Sequence, residues 1–215
     1  MPTPADKRQY DATKRRERAD AERGATRDKV VAAARTLFVE KGYTATTIKD
    51  IALQAGVAVQ SVYAAGGSKA ELLVTVSDQA IVGDNREVPL AARANLMTVM
   101  AETDPARRVR LFADVICDIQ ERSAPVQQAF REAAAVDAVV AENLRQAHLR
   151  RWQLFGMVID GFADADLRVP KEQARVTAWS LGSSEVWLLQ VKVLERTPSD
   201  VREWLGDTLV AALLA

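Results

Sequence analysis

The chain has 215 residues, which suits one compact domain or a small domain joined to a larger one. Its 48% apolar and 27% charged residues, with 10 Gly and 7 Pro, exclude collagenous and wholly disordered classes. The 29 Lys and Arg balance the 29 Asp and Glu, yet residues 1–70 hold 13 basic against 8 acidic side chains, so the N-terminal end carries five excess positive charges and the remainder the same negative excess. That basic end is the candidate for contact with a polyanion.

The longest uninterrupted apolar run, Leu209 to Ala215, is seven residues, against the roughly twenty that a membrane-spanning helix requires. Residues 1–24 lack the apolar core of a secretory signal. A lone cysteine, Cys117, reads as a small buried apolar residue, and with the single histidine, His148, it leaves too few soft ligands for a zinc site. The expectation is a cytoplasmic protein with no membrane partner, metal or cofactor.

In chain order, residues 1–24 mix Lys7, Arg8, Lys14, Arg15, Arg16, Arg18 and Arg23 with acidic residues and almost no large apolar side chains, which predicts a flexible arm. From Thr26 the apolar residues Val30, Ala33, Ala34, Leu37 and Phe38 recur at helical spacing, and Gly42 stops the helix. Thr46 and Thr47 then offer N-cap oxygens to a short second helix with Ile48, Ile51, Ala52 and Ala55 on its apolar face, ended by Gly56. A third helix spans Ala58 to Ala65 with Val62 inward, and Ser68-Lys69-Ala70-Glu71 is a capping box that opens a fourth, running to about Val82.

Beyond Pro89 the pattern is helical throughout, with breaks expected near Asp104-Pro105, Ser123-Ala124-Pro125, Asp164 to Pro170 and Thr197-Pro198. Valines are common but fall at helical rather than alternating spacing. The predicted fold is all-α with about nine helices: an N-terminal helix-turn-helix head and a larger C-terminal helical bundle. The predicted divisions are an arm (1–24), a small helical head (25–83) and a larger helical domain (84–215).

An apolar helix from Thr47, a tight turn at Ala55-Gly56-Val57 and a short helix from Ala58 make a helix-turn-helix, whose second helix enters the major groove. Ala58, Val59, Gln60, Ser61 and Tyr63 are the residues available for reading there. Gln60 has the amide that bonds an adenine edge in bidentate fashion, and Val59 suits a thymine methyl group. Thr26, Thr46, Thr47 and Lys69 are the remaining predicted DNA contacts, with Thr46, Thr47, Tyr63 and Lys69 at phosphates.

The run Thr26-Arg27-Asp28-Lys29, Ala33, Arg35, Leu37-Phe38, Gly42-Tyr43, Thr46-Thr47-Ile48, Ile51-Ala52, Ala55-Gly56-Val57, Tyr63 and Gly67-Ser68-Lys69 resembles the TetR family of bacterial transcriptional regulators. The resemblance covers about residues 24–83. It implies a homodimer that pairs through its last two helices, an inverted-repeat operator of double-stranded DNA, and a small-molecule effector that separates the two reading heads and releases the DNA. It makes 25–83 the DNA-binding domain and 84–215 the ligand-binding and dimerisation domain, and it tilts the function toward a repressor. One departure bears on function: where the family carries Tyr or His and then an aromatic ahead of Gly-Ser-Lys, this chain has Ala64, Ala65 and Gly66. The basic arm is a candidate to compensate by following a minor groove.

In the larger domain all four tryptophans lie after residue 150, and Leu144, His148, Trp152, Phe155 and Ile159 share one helical face. Phe112, Phe130, His148, Trp152, Phe155 and Trp179 are the candidate ligand contacts, a polar tip within an aromatic stripe being suited to hold an oriented molecule. The predicted helix from Lys171 to Glu195 is apolar on several sides, as a helix with more than one partner is, and marks a dimer interface with the last helix. Glu185, set in this apolar stretch, is expected to meet an arginine or solvent. One histidine and one cysteine, with no glycine-rich phosphate loop or nucleophile elbow, assemble no catalytic constellation, so no enzyme is expected. The alternative function is a helical ligand-binding or interaction module with weakened DNA binding, which Ala64-Ala65-Gly66 motivates.

Overall fold

The structure, a computed structural model, describes residues 4–83 and 90–215, with side chains from residue 14 onward. Among the described residues the backbone forms ten α-helical segments and no β-strand beyond a single bridge between Leu167 and Leu214. Counting the divided 171–193 stretch once gives nine helices. The chain separates into two compact units, one through Val76 and one from Ser77.

The first unit contains α1 (Pro4–Ala45), α2 (Ile48–Ala55) and α3 (Val59–Gly66), which pack against one another, and the start of α4 (Lys69–Val82). The predicted apolar face of α1 is its core: Val30, Ala34 and Phe38 are fully buried with Ile51, Val62, Leu72 and Leu73. Gly42 has φ 78°, a left-handed value that breaks the helical path of α1 where the stop was expected. Upstream the structure departs from the expected arm, for residues 14–24 continue α1 as helix. Alanine, lysine, arginine and glutamate are strong helix formers, and extending a helix already anchored by a core avoids the cost of nucleating a new one. Residues 1–3 of the expected arm, and the side chains of Lys7 and Arg8, lie outside the described residues.

The second unit is built around α6 (Pro105–Ala134), which touches α5 (Ala94–Ala101), α7 (Ala138–Asp160), α9 (Ser184–Leu188) and α10 (Pro198–Leu213). Its core includes Leu96, Val99, Phe112, Ile116, Phe155, Ile159, Leu205 and Leu209. The expected break at Ser123-Ala124-Pro125 is absent. Pro125 lies inside α6, and Ala124 and Val126 on either side of it are fully buried, so core packing carries the helix through the missing N–H. The turn falls instead at Ala135–Asp137, where Asp137 Oδ1 accepts from the N–H groups of Val139 (3.0 Å) and Val140 (3.2 Å).

The predicted helix 171–195 is also divided. α8 (Lys171–Leu181) ends at Gly182, Ser183 caps α9, and α9 runs into a π-helical turn, Leu189–Val193. Gln120 Nε2 donates to the Gly182 carbonyl (2.7 Å), taking up an acceptor that the break exposes. A Cβ at Gly182 would come within 3.2 Å of Ile116, so the break sits where α8 comes close to α6. Past the Thr197-Asp200 capping box, α10 presents Val201, Leu205, Leu209 and Leu213, all buried.

Candidate functional site

The turn between α2 and α3 positions the reading helix through backbone chemistry alone. Gly56 adopts φ 66°, ψ 35°, and its N–H caps α2, while the Val57 N–H donates to Ala52 O (3.0 Å). From there α3 starts at Val59, with Val62 fully buried against the head. Fixing Val62 inward leaves Ala58, Val59, Gln60, Tyr63 and Ala64 exposed on the other side, while Ser61 is half-buried. Four of the five predicted reading positions therefore stand together on the open face of α3, and Tyr63 is 54% exposed.

The predicted phosphate contacts divide. Thr47 is exposed at the N-terminus of α2, but its hydroxyl is engaged: it donates to Asp50 Oδ2 (2.7 Å) and accepts from the Asp50 N–H (3.1 Å), while its own N–H donates to the same carboxylate (2.9 Å). The hydrogen bonds from the Thr47 hydroxyl and N–H hold the Asp50 carboxyl below its ordinary range, so the α2 N-terminus carries an ionised carboxylate of its own. Thr26 donates its hydroxyl to Glu22 O (2.9 Å).

Thr46 is a correction. It is fully buried, its hydroxyl donates to Gly42 O (2.8 Å) and Leu37 O (3.2 Å), and its N–H donates to Tyr43 O (3.2 Å). Every polar group of Thr46 but its carbonyl closes the end of α1, so no part of its side chain reaches a phosphate. Lys69 likewise turns inward: Nζ donates to Tyr43 O (3.0 Å) and Thr46 O (3.1 Å) and sits 4.1 Å from the Tyr43 ring centroid. Lys69 pins the Tyr43–Thr46 turn that aims α2 and α3.

The Ala64-Ala65-Gly66 departure has a packing counterpart. A Cβ on Gly66 would stand 2.5 Å from Leu72 Cδ1, and Leu72 is fully buried. The start of α4 thus occupies the space beside α3 that a larger residue at position 66 would take.

In the second unit the six candidate ligand contacts fall into two groups. Phe112, Phe130 and Phe155 are buried, and Phe112 meets Phe155 edge to face at 4.9 Å. His148, Trp152 and Trp179 are half-buried where α7 meets α8, with the Trp179 ring 6.0 Å from His148 and 6.2 Å from Trp152, both edge to face. Sequence reasoning missed two arginines that complete this cluster. Arg151 lies over Trp179 (4.9 Å) and Phe155 (4.7 Å) and donates to Trp179 O, while Arg175 lies over Trp152 (3.9 Å) and donates to Trp152 O (3.0 Å). Spacing offers a signal for one contact alone, Arg151 being one turn before Phe155, whereas Arg175 meets Trp152 only across the two helices.

Burial lowers the Arg151 pKa to about 10, still far above neutrality. Burial also pushes the His148 pKa down, opposed by the Glu185 charge, so neutral imidazole is the favoured form. A histidine depressed in this way costs no stability above its ordinary value near 6.5 and destabilises the fold increasingly as pH falls below it. Glu185 meets an arginine as expected, Arg131 Nη1 at 3.1 Å. Cys117 is fully buried, and burial raises its thiol to about 12, so it is inert at neutral pH. It lines, with Gln120, Gly182, Trp187 and Trp204, a cavity of about 10 Å³, room for one water. None of the six candidate ligand contacts lines that cavity.

Among the described residues no helix is long and apolar enough to cross a membrane. The sequence pattern of bacterial regulatory proteins, tetR family, matches residues 30–76, the segment that holds α2, α3 and their packing partners. No curated protein matches the chain in sequence. Solved structures match it in fold. A TetR-family regulator from Syntrophomonas wolfei superposes with a TM-score of 0.67 at 18% identity, over 91% of this chain and 98% of that one. A protein described as a transcriptional regulator from Saccharomonospora viridis, in complex with choline, gives 0.68 at 15% identity over 88% and 97%. A TetR-family protein from Mesorhizobium loti gives 0.66 at 13% over 90% and 98%. The head is thus a tetR-family DNA-binding domain, and the chain that bears it has the all-helical fold of that family's regulators.

Proposed function

We propose that the protein is a sequence-specific transcriptional repressor that binds an inverted-repeat operator as a homodimer and is released by a small molecule. The observation that carries this reading is the open face of α3: Ala58, Val59, Gln60 and Tyr63 are exposed together on a helix whose opposite side is locked by Val62. Gln60 reads an adenine edge, Val59 meets a thymine methyl group, and Tyr63 and Thr47 stand at phosphates. Lys69 acts one step removed, by holding the turn that aims the helices.

Dimerisation draws support from the apolar surface on the 171–194 stretch, where Val176, Leu189, Val193 and Leu194 are exposed. The apolar stripe of α10 is by contrast buried within its own unit, so the 171–194 stretch supplies most of the contact in the proposed pairing of the last two helices. The effector site is best supported at the half-buried His148, Trp152 and Trp179, with Phe155 joined to them through Arg151. A protein of the same fold holds choline, which supports a small organic molecule as effector.

The test is selection of bound duplexes from a random library by the full-length protein at two salt concentrations. An enriched inverted repeat establishes the operator. Gln60→Ala then relaxes discrimination by about 1–3 kcal/mol at one base pair per half-site, whereas Lys69→Ala, which frees the turn that aims α2 and α3, weakens operator binding without relaxing any single base pair. Equal behaviour of the two variants overturns the division between reader and support. Retention without sequence preference favours the second reading, an interaction module whose DNA binding has weakened with Ala64, Ala65 and Gly66.

A further inference from the structure

The described part of the N-terminal extension is helix, and its charges are not evenly matched. Between Lys14 and Lys29 there are seven basic and four acidic residues. Two of the acids are taken by neighbours on the same helix, Glu22 by Arg18 (3.1 Å) and Asp20 by Arg23. Lys14, Arg15, Arg16 and Arg27 are exposed and have no carboxylate partner among the described residues. Internal pairing therefore leaves the extension with a surplus of unpaired cations.

The surplus is placed with respect to the head. On an α-helix, positions 16, 23 and 27 fall on the same face as 30, 34 and 38. Val30, Ala34 and Phe38 on that face are the fully buried residues that seat α1 on the head. The Arg16–Arg23–Arg27 stripe is thus the overhang of the packing face, at a place where no other element buries it. At 1.5 Å per residue, Arg16 stands about 21 Å along the helix from Val30, the rise of about six base pairs of duplex.

We propose that this overhanging helix is a second nucleic-acid contact: it lies along the phosphate backbone of the DNA that flanks the site read by α3, with Arg16 and Arg27 on phosphates. This rests on the DNA-binding reading above and extends it. A helix is about 10–12 Å across with its side chains and does not thread a minor groove about 6 Å wide. The contact is therefore with backbone and lengthens the footprint without adding sequence preference.

The test compares full-length wild type with an Arg16→Gln/Arg27→Gln double variant. Glutamine is a good helix former and both sites are exposed, so the fold is kept. Affinity is measured over a salt series on three duplexes: the selected inverted repeat alone, the same repeat with eight further base pairs on each side, and a scrambled duplex of the longer length. The expected result is tighter binding of wild type to the flanked repeat than to the bare one. The double variant is expected to lose that gain, and its log–log salt slope falls by about 1.8 per bound chain at unchanged sequence preference. Equal slopes for the two proteins on the flanked repeat overturn the proposal while leaving the operator reading intact. A reduced slope on the scrambled duplex, with no sequence enriched, keeps the flanking contact and removes the operator reading. No retention of any duplex overturns both.

Discussion

The two units hold their polar groups in different ways. In the head, the groups at helix ends are satisfied by side chains three residues away: Thr47 with Asp50 and Ser68 with Glu71. The larger unit has local caps as well, at Asp104, Asp137, Ser183 and Thr197, and adds arginines that reach backbone carbonyls over long sequence distances. Arg108 Nη1 donates to Gly161 O (2.7 Å), Arg175 to Trp152 O and Arg151 to Trp179 O. Glycines make the first two approaches possible, since a Cβ at Gly161 or Gly156 would fall against the guanidinium of Arg108 or Arg175. A short-range cap fixes where a helix begins, and a long-range arginine fixes which helices lie together. Local caps therefore serve both units, Lys69 gives the head one long-range tie of this kind, and the larger unit relies on several, from α6, α7 and α8.

The largest effect that sharpens this contrast comes from the head core. Phe38→Ala, at a fully buried site, is expected to cost about 3–5 kcal/mol. All four tryptophans lie in the second unit, so the loss should appear as an early thermal transition in helical circular dichroism with tryptophan fluorescence unchanged. A single transition shifted in both signals would break the picture of separable units.

Next is Arg108→Met, which removes the guanidinium that lies over the Phe162 ring and leaves Gly161 O without its donor. A loss of about 2 kcal/mol is expected, and here it is the fluorescence melt that moves. Burial already lowers the Arg108 pKa, which marks the charge as desolvated. Should the variant be as stable as wild type, the long-range bond is dispensable and the contrast between the units fails.

The smallest effect is Thr47→Ala. Removing one half of an exposed capping box should cost about 1 kcal/mol in the head alone, seen by urea titration of circular dichroism at neutral pH, where Asp50 is ionised. A larger loss that also reached the fluorescence would mean that the cap does more than end its helix.

This contrast also accounts for what could be read from the sequence. The head was legible because its signals are local: the Thr47 cap, the Gly56 stop and the apolar spacing of α1 all act within a few residues. Pro125 is a strong local signal that misled, because the burial of Ala124 and Val126 is decided by helices distant in sequence. The aromatic residues His148, Trp152 and Trp179 were found by periodicity, but Arg151 and Arg175 looked like surface charges until α7 and α8 were placed side by side. Thr46 and Lys69 were sorted by residue type as phosphate contacts. Their engagement by the Gly42, Tyr43 and Thr46 carbonyls comes from the fold of the turn, which no spacing rule encodes.

The approach of Leu72 to Gly66 carries a consequence for how this head can change. Restoring an aromatic residue at position 66 would displace the Cδ1 end of a fully buried leucine, so that reversion obliges Leu72 to repack in the same step. The two positions form a coupled pair, in which the acceptable residue at one depends on the occupant of the other. A reading helix transplanted from another regulator would meet the same contact, and its fit to this head would depend on how Leu72 repacks.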